Sequence, residues 1–227
     1  LDQMLIPEQE NGRLAHLAGV SIEDSPRTKM RELMVDPCRI FIPFEDLKGM
    51  VMEMARYKMN ALHLHLTDAA GWRLEIESYP RLTSFAAWRT PHDWKGWWNG
   101  DRKHVEEGSE GASGGYLTKA EARELVAYAA DRYITIIPEI EMPGHSDEVL
   151  AAYPELKCSH MPERQGDLCI GKEATFEMMQ AILDEVIEIF PSEYIHIGGD
   201  EAGKGDWKLC EDCQRRMREE GLESVDE

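Results

Sequence analysis

The chain has 227 residues, with 25 Lys plus Arg against 44 Asp plus Glu, a formal charge of −19, and 42% hydrophobic residues including six Trp. That composition describes a globular fold and excludes a disordered acidic tail. No apolar run approaches the ~18–20 residues of a membrane span, and the negative balance argues against nucleic acid as a partner. The start, Leu1 to Pro7, carries neither a basic segment nor an apolar signal core. Five cysteines, at 38, 158, 169, 210 and 213, cannot all pair. Cys158 and Cys169 suit a bridge in an oxidising compartment. Cys210-x-x-Cys213 suits either a metal or simple packing, because a zinc site wants four ligands in fixed geometry.

Strand-like and helix-like segments alternate along the chain. Leu33-Met34-Val35-Asp36 is a short apolar run closed by a polar residue, and a helical pattern follows from Phe44 to about Tyr57. Ala61 to Asp68 alternates with the period of a strand. The stretch Trp88 to Gly115 is a long loop rich in Trp, Gly and charge, and loops of that length in compact domains are usually functional or mobile. Thr118 with Glu121 three residues on predicts a capped helix to about Arg132. Ile134 to Pro138 predicts a buried strand, Ala174 to Phe190 an amphipathic helix, Tyr194 to Gly198 a fourth strand, and Trp207 to Gly221 a last helix ended by glycine. Four strand-then-helix units predict parallel βα units with right-handed crossovers. The polar clusters fall directly after the strands, where barrel and doubly wound folds keep their chemistry.

The strongest local motif is His196-Ile197-Gly198-Gly199-Asp200-Glu201. Two glycines at a strand end let the backbone turn tightly, so both carboxylates can face one pocket. Crowding two such groups pushes one pKa toward the range of a general acid. A bare Asp-Glu pair is ordinarily a solvated loop; the strand and the glycines tip the reading toward a site. Pro138 to His145 brings Glu141 and His145 after a buried strand, which suggests imidazole chemistry. His63-x-His65 shares one strand face and can chelate a metal or simply pack and hydrogen-bond. Asp68, at the end of that strand, is placed to orient a histidine. Trp94, Trp97 and Trp98 suit a sugar-stacking platform or an anchor for the long loop.

Taken together, these residues resemble family 20 glycoside hydrolases, the β-N-acetylhexosaminidases. The resemblance rests on Asp24-Ser25-Pro26-Arg27, Asp36-Pro37-Cys38-Arg39, His65 to Asp68 with Gly71-Trp72-Arg73, Pro138 to His145, and His196 to Glu201, in family order. It implies an α/β fold of the (β/α)8 type, with residues 20–227 forming about the first half of the barrel and residues 1–19 the tail of a preceding small α/β domain or a linker. It implies exo-acting hydrolysis of terminal β-linked GlcNAc or GalNAc, in which the sugar's own 2-acetamido group attacks the anomeric carbon to give an oxazolinium intermediate, an exception to the two-carboxylate scheme. Glu201 would be the general acid/base, Asp200 would hold the acetamido N–H, and His145 oriented by Asp68 would tune Glu201. Arg39 would fork onto sugar hydroxyls, and Glu141 would sit in a supporting acidic position of the substrate site. The resemblance implies no cofactor and no catalytic metal. Its partner is an N-acetylhexosamine-containing oligosaccharide or glycoconjugate, with an extracytoplasmic location.

Two positions depart from the family pattern: Glu32 stands where glycine is expected, and Ala69 where a second acid is common. The family's later Tyr and Trp pocket groups have no counterpart before Glu227. The 227 residues alone are therefore expected to show little activity and to offer open barrel edges for self-association. Trp207 suits a pocket wall or a packing role. Two rival readings are a metal-dependent barrel hydrolase using His63, His65, Glu141 and His145, and a non-catalytic amino-sugar-binding fragment retaining Arg39 and Asp200.

Overall fold

A computed structural model describes Gly19 and residues 21–162 and 166–227. The predicted domain tail over residues 1–19 lies, apart from Gly19, outside the described residues. Three parallel strands form the frame: β1 (Glu32–Val35), β2 (Ala61–His65) and, after four short strands, β7 (Thr135–Glu139), in the order β1-β2-β7. Helix α1 (Phe44–Arg56) returns the chain from β1 to β2, burying Leu47, Val51 and Met54 at helical spacing. Helix α4 (Lys119–Ala130) returns it to β7. Its start is the predicted capping box, in which Thr118 Oγ1 accepts from the Glu121 amide and Glu121 accepts from the Thr118 amide. Helix α6 (Glu173–Ile189) buries Met178, Ile182, Val186 and Ile189. These faces share one apolar core with Leu62, Leu64 and Ile136 of the sheet.

Four predicted elements differ in the structure. Ala61 to Asp68 is not one strand: β2 ends at His65, and β3 (Thr67–Asp68) folds back antiparallel on β4 (Gly71–Trp72). Asp68 is thereby held at a hairpin rather than on the sheet. Tyr194 to Gly198 makes one parallel bridge, Glu139 to His196, in place of a full strand. Its backbone pairs through the His196 amide to Pro138 O at 3.0 Å and the Ile140 amide to His196 O at 3.0 Å. Gly198 and Gly199, at φ 63° and 95°, then turn the chain away.

Trp207 to Gly221 divides into α7 (Gly205–Leu209) and α8 (Glu211–Glu220), because Cys210 between them is extended and fully buried. The long loop is itself ordered. It holds α2 (Arg81–Ser84), β5 (Trp88–Arg89), α3 (Trp94–Asn99) and β6 (Ser113–Gly114) around or within its span, with β5 and β6 paired. Helix α5 (Asp147–Ala152) follows the His145 turn. No described helix is long and apolar enough to cross a membrane.

Candidate active site

The segments after β1, β2 and β7 and after the His196 bridge converge at the carboxyl ends of the strands. Asp36 closes a tight turn by accepting from the Cys38 and Arg39 amides at 3.1 and 3.0 Å, and its other oxygen takes the Arg39 guanidinium at 2.6 Å. Burial opposes charge on Asp36, but these donors outweigh it and hold the carboxyl below its ordinary range. Arg39 Nη2 reaches Asp68 Oδ2 at 2.7 Å, and the same oxygen lies 3.2 Å from His65 Nε2 and 3.6 Å from His145 Nδ1. The far nitrogen of His145 lies 3.6 Å from Asp200 and 3.5 Å from Glu201. Arg39, Asp68, His145 and the Asp200–Glu201 pair therefore form one line of contacts. Asp68 is buried at 3% side-chain exposure, while Asp200 and Glu201 stand at 64% and 79% on the open side.

His145 and Glu201 both adopt left-handed backbone, φ 50° and 51°. For residues other than glycine this costs about 1–2 kcal/mol each, and it persists only where neighbours over-determine it. Around His145 the Ser146 amide donates to Gly166 O at 2.7 Å and Ser146 Oγ to Gly144 O at 2.8 Å. A Cβ on Gly144 would lie 3.0 Å from Asp200 O, so the two loops touch at that point.

Glu141 is buried behind this line. Its amide donates to Thr67 Oγ1 at 2.7 Å, and its carboxylate fills the space that a Cβ on Gly198 would need. Burial first, then the nearby Asp200 and Glu139, push Glu141 up to about 7. An acid raised on folding binds more protons in the folded state, so ionising it costs stability progressively from pH 4.5 to about 7. Relative to Glu141→Gln, the parent is therefore expected to lose stability across that interval. Urea midpoints of both proteins at its two ends check this, and a pH-independent difference would contradict it.

Sequence reading missed Glu139, which organises the layer below. It lies 2.9 Å from His63 Nε2, 2.5 Å from His65 Nδ1 and 2.8 Å from His196 Nδ1. Burial opposes its charge, yet hydrogen bonds from His63 and His65 hold it far below the ordinary carboxylate range. His65 responds in the opposite sense: against its burial, hydrogen bonds to Asp68 and Glu139 raise it to about 10. Pairing across the sheet sets His65 opposite Glu139, a signal available only once β2 and β7 are known to be neighbours.

Arg73 was also missed as a scaffold. Fully buried, it donates to the carbonyls of Pro37, Cys38, Ala87 and Gly115 at 2.6–3.0 Å, tying the Arg39 turn to the long loop. Arg89 adds a bond to Arg39 O at 2.6 Å.

The metal-hydrolase set does not come together. His63 groups with Glu139 and His196, and His65 with Glu139 and Glu141, whereas His145 groups with Asp200 and Glu201. The aromatic alternatives also separate. Trp97 is fully buried, donates to Lys103 O at 3.0 Å and packs on Arg89, so it anchors the long loop. Trp94 and Trp98 stack with ring centroids 5.8 Å apart. Trp207 is a packing residue rather than a pocket wall: it is buried and donates to Leu168 O at 3.0 Å.

The sequence profile described as glycosyl hydrolase family 20, catalytic domain, matches residues 29–227. The chain belongs to that family. It is 42% identical to a β-hexosaminidase of Porphyromonas gingivalis over 92% of this chain and 26% of the relative. It is 37% identical to a β-hexosaminidase of Vibrio furnissii over 99% of this chain and 37% of the relative. Among solved structures, it resembles the family 20 exo-β-N-acetylglucosaminidase of Vibrio harveyi in complex with N-acetylglucosamine, with TM-score 0.80 and 32% identity over 98% of this chain and 35% of that one. The chain thus spans about a quarter to two fifths of the length of these relatives, and its parallel strands are a segment of the (β/α)8 barrel that the sequence predicted.

Proposed function

We propose that this chain carries the acid/base half of an exo-acting β-N-acetylhexosaminidase site, working on terminal β-linked N-acetylhexosamine of an oligosaccharide or glycoconjugate. The observation that carries the reading is the approach of both Asp200 and Glu201 to the same nitrogen of His145, with Asp68 and Arg39 behind it. Glu201 is the general acid that protonates the leaving oxygen and then the base that activates water. Asp200 holds the acetamido N–H and faces the positive charge that develops as the acetamido oxygen closes on the anomeric carbon. His145, backed by Asp68, sets the proton affinity of Glu201.

Arg39 uses one lobe of its fork on each of Asp36 and Asp68, and a guanidinium has further N–H donors to offer sugar hydroxyls. Bringing an internal nucleophile to the reacting carbon is worth roughly 7–11 kcal/mol, so the protein need supply no nucleophile of its own. In the full-length gene product, an aryl 2-acetamido-2-deoxy-β-glucoside is expected to turn over while its 2-hydroxy counterpart stays inert. Equal turnover of the two would contradict the reading, and binding of a thiazoline mimic without any hydrolysis would favour a sugar-binding module instead.

A further inference from the structure

Four of the five cysteines meet at one point behind the Glu201 loop. Cys158 follows the 3₁₀ turn Pro154–Leu156, Cys169 precedes α6, Cys210 separates α7 from α8, and Cys213 lies in the first turn of α8. All four are buried and none is in a disulfide. Their sulfurs lie within 4.8 Å of one another. Cys169 Sγ is 3.6 Å from both Cys210 Sγ and Cys213 Sγ, and Cys158 hydrogen-bonds with Cys169 and Cys213.

A tetrahedral zinc with bonds of about 2.3 Å puts its sulfurs roughly 3.8 Å apart, whereas a disulfide needs about 2.0 Å. The spacing is that of a tetrahedron's edge. Backbone donors are also aimed at the sulfurs. The Ser159 amide points at Cys210 Sγ at 3.4 Å, and the Gly171 and Cys213 amides donate to Cys169 and Cys210. Backbone donors aimed at metal ligands are the usual second layer of such sites. Gly171 makes the assembly possible, since a Cβ there would overlap the Asp212–Cys213 backbone at the start of α8.

We propose that Cys158, Cys169, Cys210 and Cys213 bind one Zn²⁺ as a structural tetrathiolate site. On binding, the four thiol protons leave to solvent and the metal takes their place on sulfur. The site fastens α7 and α8 to the 158–169 loop. The same junction carries the Gly203 amide on Asp167 Oδ2 at 3.0 Å, and Ala202, next to Glu201, packs against the sulfur cluster. This metal site stands apart from the glycosidase reading and does not depend on it.

The test uses the full-length gene product purified under reducing conditions without chelator. Elemental analysis is expected to give one zinc per chain. An organomercurial that titrates four thiols should release that zinc in step. Exchange for cobalt should give the intense visible bands of a tetrahedral thiolate–cobalt centre. Cys210→Ser and Cys213→Ser should lose the metal and melt earlier, while Cys38→Ser, outside the cluster, should keep it. Should the cluster variants fail to fold, the mercurial and cobalt titrations of the parent decide. A folded parent that lacks zinc and takes up none, one that holds iron instead, or one whose intact mass shows two disulfides would overturn the proposal.

Discussion

Replacing Glu201 with Gln is expected to lower turnover of an unactivated disaccharide by about 10²–10⁴-fold, the usual worth of a positioned acid, with little change in ground-state binding. An activated aryl glycoside, whose leaving group needs no proton, should be hurt much less. Asp200→Asn is expected to behave differently and slow both substrates, because the acetamido oxygen must close on the anomeric carbon as the leaving group departs, whether or not that leaving group needs a proton. The distinction follows from position. Both carboxylates lie within 3.6 Å of the same imidazole nitrogen, yet they follow two glycines on a single turn and can address different atoms of one sugar. Steady-state kinetics with the two substrate classes check the pair. If both variants hydrolysed the activated aryl glycoside like the parent, the assignment of the two acids would be wrong.

The second large effect is expected from Gly198→Ala. At φ 63° an alanine pays about 1–2 kcal/mol for the left-handed backbone alone. Its Cβ would also occupy the place of the Glu141 carboxylate, which is buried, with His65 Nδ1 3.9 Å away on its other side, while the Glu141 amide is tied to Thr67 Oγ1. Either the acid or the loop must move. A melting point lower by at least several degrees follows from about 2 kcal/mol in a protein of this size. Activity should fall further than stability, because a shift of about 1 Å at the reacting groups can cost 10²-fold. Gly199→Ala separates the two causes: it too puts a side chain on positive-φ backbone, at φ 95°, but meets nothing within 4 Å. Thermal melts and kcat for the two variants side by side should show the larger loss at Gly198, and equal losses would remove Glu141 from the argument.

The parallel frame was legible in the sequence because its signals are local. The apolar alternation of β2, the Thr118–Glu121 box opening α4 and the spacing of Met178, Ile182, Val186 and Ile189 on α6 each need only neighbouring residues. The elements that differ depend on distant contacts. Cys210 leaves the helical path because its sulfur is drawn into a cluster with Cys169, forty-one residues earlier in the chain. Tyr194 to Gly198 reads as a strand by composition, yet it makes a single bridge, to Glu139, with one further bond from the Met142 amide to Ile197 O.

The site divides in the same way. Asp68, His145, Asp200 and Glu201 could be singled out as candidates because each follows a strand-like segment. Glu139 and Arg73 could not, since a buried charge leaves no local pattern and is stabilised by partners on other elements: three histidines for Glu139 and a ring of carbonyls for Arg73.

The central claim is that the sugar's own acetamido oxygen is the nucleophile, with Asp200 and Glu201 attending it. It is tested most directly by kcat/KM of the full-length gene product on aryl glucosaminides whose acetyl group carries none, one, two or three fluorines. The account predicts a steep, monotonic fall as the carbonyl oxygen is made poorer in electrons. A flat series would mean that a protein side chain or water attacks instead.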